Sequence, residues 1–215
     1  MANPNALYYK GIDRILKGQT DIDTDTFKCV LVDLDDYALA VSGATNATPI
    51  VVTTSATHGL STGDKVAICG VGGNTNANGV FSITVLSTTT FSVQDVRTGT
   101  DIAGSGSYTS GGYVIKVSID EFLSDIPSGA RVATSASLSG VAVSQGVVDW
   151  SDFSFSAVTG DASEAIVLYK DTGTASTSAL VALYTNGTNL PVTPNGGDIN
   201  VAWSNGASKA FRINN

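Results

Sequence analysis

Between Thr54 and Val93 the chain reads TSATHGLSTGDKVAICGVGGNTNANGVFSITVLSTTTFSV. Each apolar run in it is only a few residues long, too short for an ordinary helix, and is closed by Gly, Asn, Ser or Thr. Phe81, Ile83 and Val85 alternate with Ser82, Thr84 and Leu86, so one face of that run points inward, and Phe91 and Val93 repeat the pattern on the next. Gly59 and Gly63 flank the tripeptide LST, and GVGGNTNANG supplies residues that tolerate positive φ. Strands are expected at Ile50 to Thr54, Asp64 to Cys69, Val80 to Leu86 and Phe91 to Val96, close enough in sequence to make a small antiparallel sheet or barrel.

The sequence on either side makes better sense with this stretch lifted out. Residues 44–111 are poor in long charged side chains and rich in Thr, Ser and Gly, and they read as one inserted small β-barrel module. The outer domain is then split between residues 1–43 and 112–215. Its first half contains the one convincing helix, expected over residues 4–17, with Leu7, Tyr8, Gly11, Ile12, Ile15 and Leu16 on one face, Pro4 in the first turn and Gly18 as the stop. A strand follows at Phe27 to Asp33, apolar on both faces.

The returning half is strongly β. Strands are expected at Val114 to Ile119, Val132 to Thr134, Leu138 to Val143, Val147 to Asp149, Phe153 to Phe155, Ala165 to Tyr169, Leu180 to Thr185, Ile199 to Trp203 and Ala210 to Ile213, with one helical turn over Asp120 to Ile126. AIVLY and ALVALY are unbroken apolar runs and belong in a sheet covered on both faces. Trp150, Phe153, Phe155 and Trp203 are the heavy core candidates. The fold class is therefore mainly β: a β-sandwich-like outer domain with an N-terminal helix, interrupted by a small β-barrel.

Charge narrows the partners. The formal net charge is −8, and the basic residues, 11 in all, form no stripe, which argues against direct nucleic-acid binding. Only 14% of residues are charged, against about 25% in an average domain, so the surface is built from Ser, Thr, Asn and Gly. Such a surface suits tight-turned β proteins and molecules packed against neighbours. The N-terminal residues lack the pattern of a signal peptide, and no apolar run approaches the ~20 residues that cross a bilayer, so no membrane partner is expected. Cys29 and Cys69 each lie in an apolar strand, which points to buried thiols, reduced in a cytosolic site of synthesis.

Catalytic chemistry finds no footing. His58 is the single histidine; Ser55 and Ser61 are near it in sequence, but no acid is placed to complete a relay, and a turn-shaping hydrogen bond is the expected role. Asp21, Asp23 and Asp25 open like a calcium loop, yet Thr26 stands where the turn glycine belongs and no bidentate Glu follows, leaving an acidic turn. Zinc lacks ligands, Asp161 and Glu164 read as turn residues entering a strand, and GVGGNTNANG precedes a strand and not the helix that a phosphate cradle needs. No catalytic, cofactor-binding or metal residue is assigned, and a non-enzyme without cofactors is expected.

The pattern THGLSTGDKVAICG, NANGVFSITVLSTTTFSV and GSYTSGGYV resembles a small β-module that recurs in tailed-phage virion proteins, and its strand pattern is similar to the first catalytic cysteine half-domain of ubiquitin-activating enzymes, a likeness of fold without ubiquitin chemistry. ALYYKGIDRILKGQTDIDTDTFKCVLVD resembles the opening of a group of small phage structural proteins; FLSDIPSGARVATSASLSG, VVDWSDFSFSAVTGDASEAIVLYKDTG and LPVTPNGGDINVAWSNGASKAFRI resemble its remainder. Many members of that group lack the module. The resemblance implies a virion structural protein made in the bacterial host cytoplasm: a capsid decoration or cement protein that binds the major capsid protein or other virion proteins, bridges capsomers and assembles as a homo-oligomer, a trimer being the natural form. The alternative it leaves open is a tail, baseplate or fibre-associated protein whose module binds a host surface glycan.

Overall fold

The computed structural model describes residues 3–213. The chain opens with β1 (Asn5–Leu7), α1 (Tyr9–Leu16), β2 (Phe27–Val32) and the single-turn α2 (Leu34–Tyr37). Then come β3 (Leu39–Ala44), β4 (Val51–Thr54), β5 (Lys65–Cys69), β6 (Gly79–Val85), β7 (Thr90–Asp95) and β8 (Tyr113–Ile115). The remainder supplies β9 (Arg131–Thr134), β10 (Ala142–Ser144), β11 (Val147–Asp149), β12 (Phe153–Phe155), β13 (Ala165–Lys170), β14 (Leu180–Tyr184), β15 (Ile199–Val201) and β16 (Phe211–Arg212). The protein is mainly β, and it divides into two compact units.

The first unit holds Leu34–Asp120, with residues 3–6 and Tyr184–Thr188. Its centre is a closed six-stranded barrel in the order β3-β4-β7-β6-β5-β8. Period-two alternation drives it: Val52, Val66, Ile68, Phe81, Ile83, Phe91 and Val93 all turn into one buried core. The four strands expected between Ile50 and Val96 are all present, each within a residue or so of its expected limits. The barrel reaches beyond residues 44–111, however. Closure uses β3 and β8, with Leu39 opposite Val114 and Ala40 opposite Tyr113. The run expected as an outer-domain strand from Val114 is thus a barrel strand, and β3 was not anticipated. Both are short, ordinary apolar runs that look alike in either sheet; only the hydrogen-bonding need of two open barrel edges assigns them here.

The second unit holds Leu7–Asp33, Glu121–Leu183 and residues 189–213. Its main sheet has the order β14-β13-β2-β9, with β1, of which only Leu7 belongs to this unit, beside β14. β13 and β14 are buried along nearly their whole length, as their unbroken apolar sequences require. β2 pairs β13 from Lys28 opposite Tyr169 to Val32 opposite Ala165, and its other edge pairs β9. β2 and β9 are therefore neighbours although the whole barrel lies between them in sequence. Two smaller sheets, β10-β11-β16 and β12-β15, complete the unit. Phe27 of β2 meets Trp150 at 5.4 Å between ring centres, and Trp150 in turn meets Phe211 at 6.0 Å and Trp203 at 6.3 Å, so aromatic rings fill the space between the sheets. Trp150 and Phe155 are buried, as expected of core residues, while Phe153 and Trp203 are half-buried.

The N-terminal helix is shorter than the expected span of residues 4–17. Asn5–Leu7 form an edge strand and the helix begins at Tyr9. Tertiary pairing overrides the helical spacing: the Thr185 N–H donates to Asn5 Oδ1 at 3.2 Å, and the Tyr8 N–H donates to the Val181 carbonyl at 2.9 Å. Of the residues expected on the buried face, Tyr8 and Gly11 are buried but Leu16 is 72% exposed. The helix lies so close to β14 that a Cβ on Gly11 would collide with the Leu180 carbonyl. Arg14 locks its last turn, donating from Nε and Nη2 to Glu121 Oε1 at 2.9 and 2.7 Å with its guanidinium 4.7 Å from the centre of the Phe122 ring. The turn expected over Asp120 to Ile126 is a 3₁₀ turn at Leu123–Asp125, and the strand expected at Leu138 to Val143 is displaced to Ala142–Ser144.

Candidate interaction surfaces

His58 is fully committed to the barrel. Its Nδ1 accepts the Leu60 N–H at 2.9 Å, so the proton sits on Nε2, which donates to the Ser87 carbonyl at 2.9 Å. Its ring stands edge-on to Phe91 at 5.6 Å and is 2% exposed. The side chain therefore splices the turn before β5 to the β6–β7 turn, the turn-shaping role read from the sequence. Ser55 and Ser61 take no part in these bonds; the Ser61 N–H donates to Asp64 Oδ2 at 2.7 Å.

The acidic triplet is likewise turned inward on its own chain. The Asp21 N–H donates to Asp25 Oδ2 at 2.7 Å, the Asp23 N–H to Asp21 Oδ1 at 2.9 Å, and the Lys170 ammonium sits 2.6 Å from Asp25 Oδ2. Beside it Lys28 and Asp171 pair at 2.7 Å, and the Lys28 hydrogen bond holds the Asp171 carboxyl below the usual carboxylate range. No group of three potential metal-ligating side chains comes together among the described residues. Both cysteines are buried and neither is in a disulfide, and desolvation pushes the Cys29 thiol well up from its ordinary value. Cys69 is 2% exposed on the barrel wall, with no access to a substrate.

GVGGNTNANG turns out to be more than a flexible turn. Asn74 is fully buried; its Oδ1 accepts the Ser105 N–H at 2.9 Å and its Nδ2 donates to the Thr45 carbonyl at 2.9 Å. Asn78 closes Val71 from both sides, accepting its N–H at 2.8 Å and donating to its carbonyl at 2.9 Å. Sequence reasoning placed these asparagines at the turn for their backbone tolerance and missed that their amides stitch three loops together. The clue was their number in a loop with no charge at all. Spent in this way, they offer a ligand nothing.

A shallow depression of about 360 Å³ lies on the two-stranded sheet, where Asp152, Ser154, Asn200 and Ala202 alternate with Phe153 and Val201. Asp152 Oδ1 is already occupied by the Trp203 N–H at 2.9 Å. The hairpin of β10 and β11 is the second open feature: all three residues of β10 are exposed, and Val143 is 49% exposed. Among the described residues neither place pairs a nucleophile with a base.

Residues 46–118 match the family of the ubiquitin-activating enzyme E1 FCCH domain, a span that covers most of the barrel from β4 through β8 and about a third of the chain. The similarity is one of a module: the flanking unit lies outside it. No curated protein matches the chain.

Proposed function

We propose that this protein is a non-enzymatic structural component of a tailed-phage virion, a capsid decoration or cement protein that binds the outer shell and bridges capsomers. The observation that carries the reading is topological. A closed barrel, whose first and last strands pair with each other, is spliced between β2 and β9, two strands that are neighbours in the sheet of the other unit. The barrel thus closes its own hydrogen bonding, and we read it as a guest in the loop between two paired strands of its host. This is what the resemblance to small phage structural proteins implies, with and without the module.

Two further features support a mechanical task. The side chains that carry chemistry elsewhere, His58, the aspartates near Asp25 and the loop asparagines, are here spent on internal bonds. The charge-poor exterior suits several modest contacts that gain strength from repetition over a symmetric shell. The partners are the major capsid protein or other virion proteins, together with further copies of the chain in a closed symmetric assembly, of which a three-fold ring is the simplest for a three-fold shell position. Synthesis in the host cytoplasm and residence in the virion complete the proposal.

Quantitative staining of purified particles tests it. On the order of hundreds of copies per particle are expected for a shell protein, given the repetition of the capsid lattice. A dozen or fewer would transfer the protein to the tail or baseplate, and absence from particles would end the virion reading.

A further inference from the structure

We propose that β10 is the edge at which a second copy of this chain adds, antiparallel and strand to strand, about a two-fold axis at Ala142. The inference stands apart from the virion reading and rests on the hairpin alone. β10 and β11 pair with Ala142 opposite Asp149, Val143 opposite Val148 and Ser144 opposite Val147. Gln145 and Gly146, at φ 51° and 75°, form the two-residue turn. In such a hairpin the residues flanking the turn exchange their hydrogen bonds, so Ser144 and Ala142 face β11 while Val141 and Val143 aim their N–H and C=O groups outward. Among the described residues no backbone or side-chain group meets those four groups.

Three properties of the edge select a copy of itself. The first is backbone symmetry: with Ala142 on the axis, Val141 of each copy lies opposite Val143 of the other, and all four outward groups per copy are satisfied at once. The second is side-chain fit. The axial position is a non-hydrogen-bonded pair, the closest approach in an antiparallel ladder, and two alanines occupy it, flanked by Val–Val pairs that favour strand association. The row Phe211, Val148, Val143 crosses the small sheet on one face, buried at Phe211 and Val148 and running out exposed at Val143. A second copy continues that row with its own Val141.

The third is charge. With a net charge of −8 two copies repel in general, yet Leu138 to Val148 contains no charged residue. Nor does the edge carry the lysine, proline or inward charge by which sheet edges are ordinarily protected. The contact area of one added strand is small, so the pairing is weak in solution and gains from avidity wherever the copies are held together. A two-fold contact of this kind is compatible with rings, since two-folds join rings into dihedral assemblies.

The full-length protein is measured by light scattering from micromolar to near-millimolar concentration, beside three variants. The wild-type mass should double across this range, whether the unit that pairs is one chain or a ring. Val143→Pro removes only an outward N–H and should abolish the doubling with an unchanged thermal midpoint; Val143→Lys does the same by charge and covers the case in which the proline disturbs the hairpin. Ala142→Cys should form a disulfide dimer on mild oxidation, because the axial Cα atoms would lie about 4.5 Å apart, whereas Gln145→Cys, roughly 20 Å from its copy by the rise of a strand, should not. Cys29 and Cys69 are buried and do not compete. A mass that does not rise across the range, a doubling that survives both Val143 variants, or cross-linking no greater at Ala142 than at Gln145 would each overturn the proposal.

Discussion

Replacing His58 with alanine tests whether the single histidine is a structural splice. The ring is 2% exposed and both of its nitrogens are bonded to backbone groups at 2.9 Å. Its removal orphans the Leu60 N–H, a buried donor, at about 1–3 kcal/mol, while the Ser87 carbonyl lies at an exposed turn and regains water, leaving a loss of about 1 kcal/mol there. The edge-on contact with Phe91 and the void left by the ring add roughly 1–2 kcal/mol more. A total of about 3–6 kcal/mol should appear in amide hydrogen exchange as accelerated opening at Ile83 and Val93, which share the barrel core. Nitrogen-15 spectra of the wild-type ring should show the proton on Nε2 and an unprotonated Nδ1. A loss below about 1 kcal/mol, or a proton on Nδ1, would refute the bonding described and reopen a chemical role for His58.

Gly11→Ala separates propensity from packing: alanine in a helix interior is worth about 1 kcal/mol over glycine, but here the new Cβ meets the Leu180 carbonyl. A net destabilisation of about 1–3 kcal/mol is expected from overpacking, read from the tryptophan emission of Trp150 and Trp203, and a gain in stability would contradict the close approach of α1 to β14. Asp171 has its folded-state carboxyl held low by Lys28, so its contribution is full above the unfolded-state value near 4 and is lost as pH falls through the lower folded value. The stability difference between wild type and Asp171→Asn should therefore be constant at neutral pH and shrink in acid; a difference that grows on acidification would show that the pair with Lys28 is not formed. Excision of residues 39–115 in favour of a short Gly/Ser linker should leave the second unit folded with native tryptophan emission, because Leu39 and Val114 are directly opposite and the gap is about one strand spacing. Cutting at 44–111 instead leaves β3 and β8 paired only with each other, each with its other edge open, and should give aggregation.

Most of the β architecture is legible in the sequence because period-two alternation and glycine punctuation are local signals. Phe81, Ile83, Phe91 and Val93 announce the barrel interior, and AIVLY and LVALY announce sheet centres. What escapes is decided by partners far away in the chain. β3 and β8 are barrel strands because two edges need closing, and Asn5–Leu7 is a strand because β14 offers an edge; helical spacing at Leu7 and Leu16 cannot reveal either. The same holds for the polar interior. Asn74 and Asn78 read as turn residues in one dimension and become hydrogen-bonded core in three: the partners of Asn74, Thr45 and Ser105, lie about thirty residues away, and Asn78 closes on Val71 within its own loop. The surface hairpin at β10 was visible as a strand, yet its exposure and its open edge depend on the sheet order, which no local pattern encodes.

An electron-microscopy reconstruction of the intact phage particle tests the central claim most directly. The virion reading predicts density for both units on the outside of the shell, repeated with the capsid lattice and contacting adjacent capsomers, with the six-stranded barrel recognisable in each copy. A shell whose surface carries no such density, or density for the barrel at the tail alone, would contradict it.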